Sequence, residues 1–214
     1  MVSVILTCWK RFENFERIIR AWMAQPKVNQ IMIWDNSGTF KTDLPVSIIS
    51  ANRNFGSSAR YALGALIRNE MAMFCDDDII PKVGFLDQML PHFKPNRILG
   101  VTGRIFKDDY EVAVRNQIES FNIEKPVKVD FLVGYLMMMH RNNLLGFNYS
   151  NSAKYCCELE LYGKLKEQPE RNIELYVIPT TLWEKLPEGD DDNALYRQPE
   201  ALAEKRKIFE RYWK

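Results

Sequence analysis

The sequence predicts an α/β protein with a mainly parallel sheet and helices on both faces. Three observations carry that reading. Over the first 80 residues, short β-branched or apolar runs alternate with amphipathic stretches in the order β-α-β-β-α-β, the alternation that builds a parallel sheet covered by helices. Each apolar run stops at turn-forming or charged residues. That collects polar side chains at one set of strand ends, where sheets of this kind bind ligands. Finally, 46% apolar, 12% aromatic and 27% charged residues in a chain of 214 are the proportions of an ordinary globular domain.

The elements follow in order. Val2 to Thr7 is rich in β-branched residues and reads as the first strand; Phe12 to Met23, with Phe15, Ile18, Ile19 and Trp22 at helical spacing, reads as the first helix. Ile31 to Trp34 is a strand stopped by Asp35-Asn-Ser-Gly38, and Val46 to Ile49 is another, ending near Asn52-Arg-Asn54. Ser57 to Asn69 fits a helix with Ala59, Ala62, Leu63, Leu66 and Ile67 on one face. Met71 to Phe74 is a fourth strand that runs directly into Asp76-Asp77-Asp78. Beyond it the pattern loosens. Phe85 to Leu90 reads as a short helix, Arg97 to Thr102 and Glu111 to Val114 as strands, and Lys128 to Met139 as a buried strand broken at Gly134. Ala153 to Lys166 is helical, Glu174 to Ile178 is a strand, Pro187 to Asn193 is a polar, mobile loop, and Pro199 to Trp213 is a charged closing helix.

Lys and Arg number 29 against 28 Asp and Glu, a net charge of +1, which argues against a nucleic acid as the main partner. The longest nearly apolar run, Phe131 to Met139, is under half of the roughly 20 residues that cross a bilayer as a helix, so no membrane insertion is expected. Lys10 and Arg11 follow the apolar N-terminal run, the reverse of a secretory signal. Cys8, Cys75, Cys156 and Cys157 show no C-x-x-C spacing, and the adjacent pair does not bridge without strain. A reducing, cytoplasmic setting is therefore expected, in which the Asn148-Tyr-Ser150 sequon goes unused.

Asp76-Asp77-Asp78 carries the most chemistry. Three carboxylates at the end of an apolar strand repel one another unless solvent or a cation neutralises them, and Mg²⁺ or Mn²⁺ does this while bridging carboxylates to the phosphates of a nucleotide. A solvated acidic turn is the alternative, and for Asp190-Asp191-Asp192, which follows Pro and Gly instead of a strand, it is the preferred one. Thr7, Trp9 and Arg11 follow the first strand, Asp35, Asn36 and Ser37 the second, and Asn52, Asn54 and Gly56 the third. A parallel sheet gathers all of these beside the triplet. Carboxylate or amide groups there can pair with the edge of a base, and Arg11 and Arg60 can carry charge to ribose or phosphate.

Other chemistries fail by position. Cys8-Trp-Lys-Arg-Phe-Glu13 lacks the glycines of a dinucleotide-binding turn, and no P-loop is present. A phosphatase-type D-x-D would follow the first strand, not the fourth. His92 and His140 are the only histidines, too few for a Cys/His zinc site, and both read as structural or surface residues.

In this order the motifs resemble nucleotide-sugar glycosyltransferases of the GT-A fold, over most of the chain. Val2-Ser-Val-Ile-Leu-Thr7 resembles their opening strand, Ile33-Trp-Asp-Asn-Ser37 the strand end that meets uracil, Asn54-Phe-Gly56 through Arg60 the segment before the D-x-D motif, and Phe74-Cys-Asp-Asp-Asp-Ile79 the motif itself. Trp34-Asp35-Asn36, the triple Asp and Thr181-Leu-Trp183 followed by Lys205-Arg206 are most similar to exostosin-like transferases, which retain configuration; the layout also suits the family-2 group, which inverts. The opening Met-Val-Ser-Val-Ile-Leu-Thr-Cys-Trp-Lys-Arg resembles N-terminal transferase domains of chlorovirus multi-domain glycosyltransferases, which would make the chain part of a larger protein in a host cytoplasm.

The resemblance implies one GT-A domain over 1–214, with a nucleotide-binding half at 1–100 and an acceptor half with the closing helix at 101–214. It implies a UDP-sugar donor, a glycan acceptor, and Mn²⁺ or Mg²⁺ held by Asp78, with Asp76 as a second metal-side residue; Asp76 and Asp77 would hold ribose, metal-bound water or sugar. Thr7, Trp9, Arg11, Asp35, Asn36, Asn54 and Arg60 would surround uridine. Asp130 and Gly134 match the acceptor-side strand, Glu158 falls near the reacting sugar, Glu158 and Asp130 would be the catalytic carboxylates, and Arg206 would reach the diphosphate. Cys157 stands where the family has an acid, and Glu158 where it has Asp. Glu158 therefore reads either as a catalytic carboxylate or as an acid at a helix N-terminus. The implied function is transfer of a hexose or 6-deoxyhexose such as glucose or rhamnose, with retention. The alternatives are a degenerate domain that binds without turnover, or a sugar nucleotidyltransferase, whose glycine-rich loop after strand one is missing.

Overall fold

The computed structural model describes residues 1–106, 117–144, 153–187 and 199–214. The strand expected at Glu111 to Val114, the sequon and Asp190-Asp191-Asp192 lie outside the described residues. In chain order the elements are β1 (Val2–Cys8), α1 (Phe12–Met23), β2 (Val28–Asp35), β3 (Ser47–Ser50), α2 (Ala59–Ala62), β4 (Met71–Cys75), β5 (Ile79–Pro81), α3 (Phe85–Met89), β6 (Arg97–Gly100), β7 (Thr102–Arg104), β8 (Ile118–Glu119), β9 (Val127–Val129), β10 (Phe131–Leu132), β11 (Leu136–His140), α4 (Ala153–Lys166), β12 (Glu174–Val177), β13 (Trp183–Lys185) and α5 (Pro199–Trp213). Among the described residues no helix is long and apolar enough to cross a membrane.

Eight strands form the central sheet in the order β3-β2-β1-β4-β11-β6-β12-β9. The β3, β2, β1 and β4 pairings are parallel, as is β6 with β12; β11 runs against both its neighbours, and β9 against β12. The sheet is thus mostly parallel, with the carboxyl ends of β1, β2, β3, β4, β6 and β12 along one edge.

Side chains alternate between two cores with the period of two that strands impose. Val4, Leu6, Ile33, Met73, Cys75, Leu136 and Met138 pack beneath α1 and α3, joined by Phe15, Ile18, Ile19, Trp22, Phe85 and Met89. Ile5, Met32, Phe74, Met137 and Met139 face the other way, toward Tyr61 of α2, Leu63 just after it, and Leu161, Tyr162, Ile208 and Phe209 from α4 and α5. Burial on both faces explains why these strands are nearly continuous apolar runs. The α4 and α5 helices approach closely because residue 163 is glycine: a Cβ there would sit 2.2 Å from the Tyr212 ring.

Three elements differ from expectation. The helix expected over Ser57 to Asn69 is α2 followed by a 3-10 turn at Leu63–Leu66. Gly64 lies so close to Leu144 that a Cβ would be 3.1 Å from it, and Ile67 is extended (ψ 123), so the chain turns early into β4. Lys128 to Met139 divides into β9, β10 and β11, which serve three different places: the sheet edge, a small β10-β7-β8 sheet, and the slot between β4 and β6. The strand expected from Arg97 to Thr102 breaks at Val101 into β6 and β7. A two-stranded pairing of β5 with β13, which no sequence pattern signalled, clamps the segment just after the acidic triplet.

Candidate active site

The triplet Asp76, Asp77 and Asp78 occupies the turn between β4 and β5 at the carboxyl edge of the sheet. The turn is fixed from several sides. The Asp76 amide donates to the Tyr135 carbonyl (2.9 Å), the Asp78 carbonyl accepts the Leu186 amide (2.6 Å), and the Cys75 thiol donates to the carbonyls of Asp76 and Ile79, both at 3.4 Å. Burial pushes that thiol well above its ordinary pKa, which keeps the proton in place for both contacts.

Two arginines meet the carboxylates. Arg11 Nη1 lies 2.7 Å from Asp77 Oδ1 and 3.4 Å from Asp78 Oδ2. Arg60, only 2% exposed, places Nη1 2.5 Å from Asp76 Oδ1 and Nη2 3.7 Å from Glu158 Oε1. Its Nε donates to the Ser57 carbonyl (2.9 Å) and its Nη1 to that of Gly134 (3.4 Å). Lys185 Nζ is 4.0 Å from Asp78, brought there because β13 pairs Lys185 with Ile79. Burial, then the charges of Asp76 and Asp77, push Asp78 up to about 7; burial pushes Asp77 up to about 6 although Arg11 opposes it; and desolvation raises Asp76 against the pull of Arg60.

Glu158, on α4, reaches the triplet across Gly134. A Cβ at 134 would lie 2.2 Å from Glu158 Oε1, so only glycine allows this approach. The Tyr61 hydroxyl donates to the same oxygen at 3.1 Å, which fixes the carboxylate in one orientation.

The nucleotide-side residues fall beside the triplet with distinct tasks. Thr7 Oγ1, at the end of β1, is buried without a hydrogen-bond partner among the described residues. Asn36 ties two loops together: its Oδ1 accepts from Trp34 Nε1 (3.0 Å) and the Phe55 amide (2.9 Å), and its Nδ2 donates to the Gly56 carbonyl (3.1 Å). Asn54 Oδ1 accepts the Gly56 amide at 2.7 Å. Trp9 is half-buried beneath Lys10, whose Nζ is 5.6 Å from its ring. Asp35 is fully buried; its Oδ1 takes the Ser37 amide (2.9 Å) and hydroxyl (2.5 Å), and its Oδ2 the Phe40 amide (2.9 Å). That geometry gives Asp35 the shaping of a loop, where the sequence suggested contact with a base.

One expected site residue, Asp130, is not brought to the triplet. Val129 pairs with Leu175, near the start of β12, so Asp130 lies toward the amino end of the sheet, opposite the triplet. There it is exposed, accepts the Phe106 amide (2.8 Å) and borders a separate cleft of about 340 Å³ with Lys128, Lys166 and Trp213. Arg206 is exposed on α5, a helix that packs on α4 and on Phe106. Conversely, Tyr61, Tyr135 and Lys185 border the site without having been singled out; Tyr61 directly follows Arg60 in sequence, and that adjacency was the only available sign of it.

The oxygen-only donor set suits a hard divalent cation. Among the described residues no three His, Cys, Asp or Glu side chains converge as a complete ligand set. Such an ion would have to complete its shell with water and ligand oxygens, which is the habit of Mg²⁺ at phosphate sites.

No protein-family model matches this chain, and no curated protein matches it. Among solved structures that do match is Staphylococcus aureus TarS 1–349 in complex with UDP-GlcNAc, with a TM-score of 0.65 at 12% sequence identity. The match covers 98% of this chain, which spans 66% of the TarS chain. At that identity the likeness is one of fold: the mostly parallel sheet flanked by helices is shared.

Proposed function

We propose that the chain is a nucleotide-sugar glycosyltransferase, and more narrowly one that uses a UDP-sugar and Mn²⁺ or Mg²⁺ to extend a glycan. The observation that carries this is the convergence of Asp76, Asp77 and Asp78 with Arg11 and Arg60 at the carboxyl edge of the sheet, where burial raises all three carboxyls. The fold shared with a protein whose structure holds UDP-GlcNAc supports the same reading. The unpartnered Thr7 hydroxyl supports a polar ligand at the ends of β1 and β2.

Asp78 and Asp76 would hold the cation, which when bound supplies Lewis-acid stabilisation of a departing diphosphate. Arg11, 3.4 Å from Asp78, would be placed to turn from that carboxylate to phosphate oxygens while Asp78 holds the cation. Thr7, Trp9, Asn36 and Asn54 line the uridine side, with Asp35 acting through its loop. Glu158, locked by Arg60 and Tyr61, is a fixed negative charge suited to stabilise the positive charge that develops on the sugar ring. In a retaining reaction the acceptor oxygen bonds to the anomeric carbon as the carbon–phosphate oxygen bond breaks, and the acceptor proton passes to the leaving phosphate oxygen. The exostosin-like Trp34-Asp35-Asn36 supports retention; the sugar moved would be a hexose or 6-deoxyhexose such as glucose or rhamnose. The resemblance to chlorovirus multi-domain enzymes supports a role as one unit of a longer viral protein in a host cytoplasm.

Calorimetric titration with UDP, with and without Mn²⁺, tests the reading on wild type and Asp78→Ala. Wild type is expected to bind UDP tightly only with Mn²⁺, and Asp78→Ala to lose that dependence. UDP binding that is absent from wild type under every metal condition would overturn it.

A further inference from the structure

Three aromatic rings lead away from the triplet on the side opposite Thr7 and Asn36. β4 divides the two sides, since the sheet runs β3-β2-β1 on one and β11-β6 on the other. Tyr135, whose carbonyl holds the Asp76 amide, has its ring 5.6 Å from that of Trp183. The Trp183 ring is in turn 6.4 Å from that of Phe121. Trp183 is firmly held: β13 pairs it with Pro81, and its indole N–H donates to Ser120 Oγ at 2.9 Å. Two residues further along the same strand, Lys185 Nζ lies 4.0 Å from Asp78 Oδ2. The row of rings is therefore continuous with the acidic site.

The outer ring, Phe121, packs on Trp183 yet is 55% exposed in its turn, so a large apolar surface is left open beside the site. Beside the rings, half-buried Glu119 accepts the Thr102 hydroxyl, which also contacts the Tyr135 hydroxyl. An aromatic face flanked by a carboxylate matches one ligand chemistry well: a neutral pyranose, whose C–H face stacks on a ring while its hydroxyls donate to the acid. An anionic sugar would be repelled by Glu119 and by the triplet.

The geometry points to Phe121 and Trp183 as the stacking platform for a neutral sugar ring of the acceptor glycan, with Glu119 receiving its hydroxyls. This rests on the transferase reading above and adds to it the residues that select the acceptor, on the edge where Asp130 is not found.

Saturation-transfer NMR tests it, using the full chain with UDP and Mn²⁺ and, as probes, maltose, cellobiose and lactose. At least one disaccharide is expected to bind wild type. Phe121→Ala should weaken that binding about fivefold or more, as the loss of an aromatic contact implies, while Trp183→Phe, which keeps a ring, retains most of it. Phe121 is exposed, so its removal leaves the fold and UDP titration intact. Equal sugar binding by wild type and Phe121→Ala overturns the platform, as does a wild type that binds UDP but none of the disaccharides. A wild type that binds no UDP instead brings down the transferase reading, and the platform with it.

Discussion

Arg60 and Arg11 face the same three carboxylates, yet one is 2% exposed and the other 23%. Arg60 is built in: it joins Asp76 after β4, Glu158 on α4, and the carbonyls of Ser57 and Gly134, so four separate segments meet on one guanidinium. Arg11 stands at the entry to α1 and reaches Asp77 and Asp78 from the solvent side. One half of the site is a clasp of the fold, and the other is an open pairing that a ligand can rearrange without disturbing the core. A site that must admit and release a charged ligand is served by this division, because Arg11 can change partners while Arg60 keeps the surrounding segments in place.

Arg60→Ala removes the clasp outright. It leaves Asp76 and Glu158 facing each other without their shared cation, opens a void, and strands two carbonyls, so a loss of about 3–5 kcal/mol in chemical denaturation is expected. Because the void and the carbonyls do not titrate, most of that loss should persist at pH 5. A variant that loses less than about 1 kcal/mol would mean that Arg60 is no clasp.

Asp78→Asn probes the open half, and here the sign is reversed. A carboxyl whose folded pKa is raised binds its proton more tightly folded than unfolded, so its cost is absent below the ordinary carboxylate range and grows until pH exceeds about 7. The full displacement is worth about 4 kcal/mol, and about 2 kcal/mol is expected in practice because Asp76 and Asp77 share the repulsion. Without added divalent cation, the variant should therefore melt above wild type at pH 8, by roughly 5 °C, and alongside it at pH 5. Equal melting at both pH values would show that the triplet carries no electrostatic burden.

The division between clasp and open pair was only half legible in the sequence. Burial on both faces made β1, β2 and β4 apolar runs, and Phe15, Ile18, Ile19 and Trp22 set the bounds of α1, so the edge that collects Arg11, Arg60 and the triplet followed from local pattern. Partners far apart in sequence left no such trace. Nothing local says that Gly134 is small because Glu158 must pass it, or that Lys185 meets Asp78 through a three-residue strand too short to show a period. Asp130 misled for a related reason: Lys128 to Met139 looks like one strand, and only the turns at Asp130 and Gly134 send its two ends to different places in the sheet. Asp35 looked like a base contact because its side chain ends a strand beside the site, but three donors from its own loop already engage it.

Arg11→Ala carries the smallest expected effect and sharpens the contrast most. Its partners are the two carboxyls already pushed up to about 6 and about 7, so at pH 5 both are largely protonated and the arginine has little charge to pair with. Stability there should match wild type within about 0.5 kcal/mol. At pH 8 the carboxylates are charged and lose a partly exposed partner, which is expected to cost no more than about 1 kcal/mol once solvent screening is counted. The same denaturation series run at both pH values thus separates the arginines by form as well as by size: a large loss that survives acid for Arg60, and a small one that acid erases for Arg11. A loss for Arg11→Ala that is large and independent of pH would make both arginines structural, and the triplet would then have no half free to take a ligand.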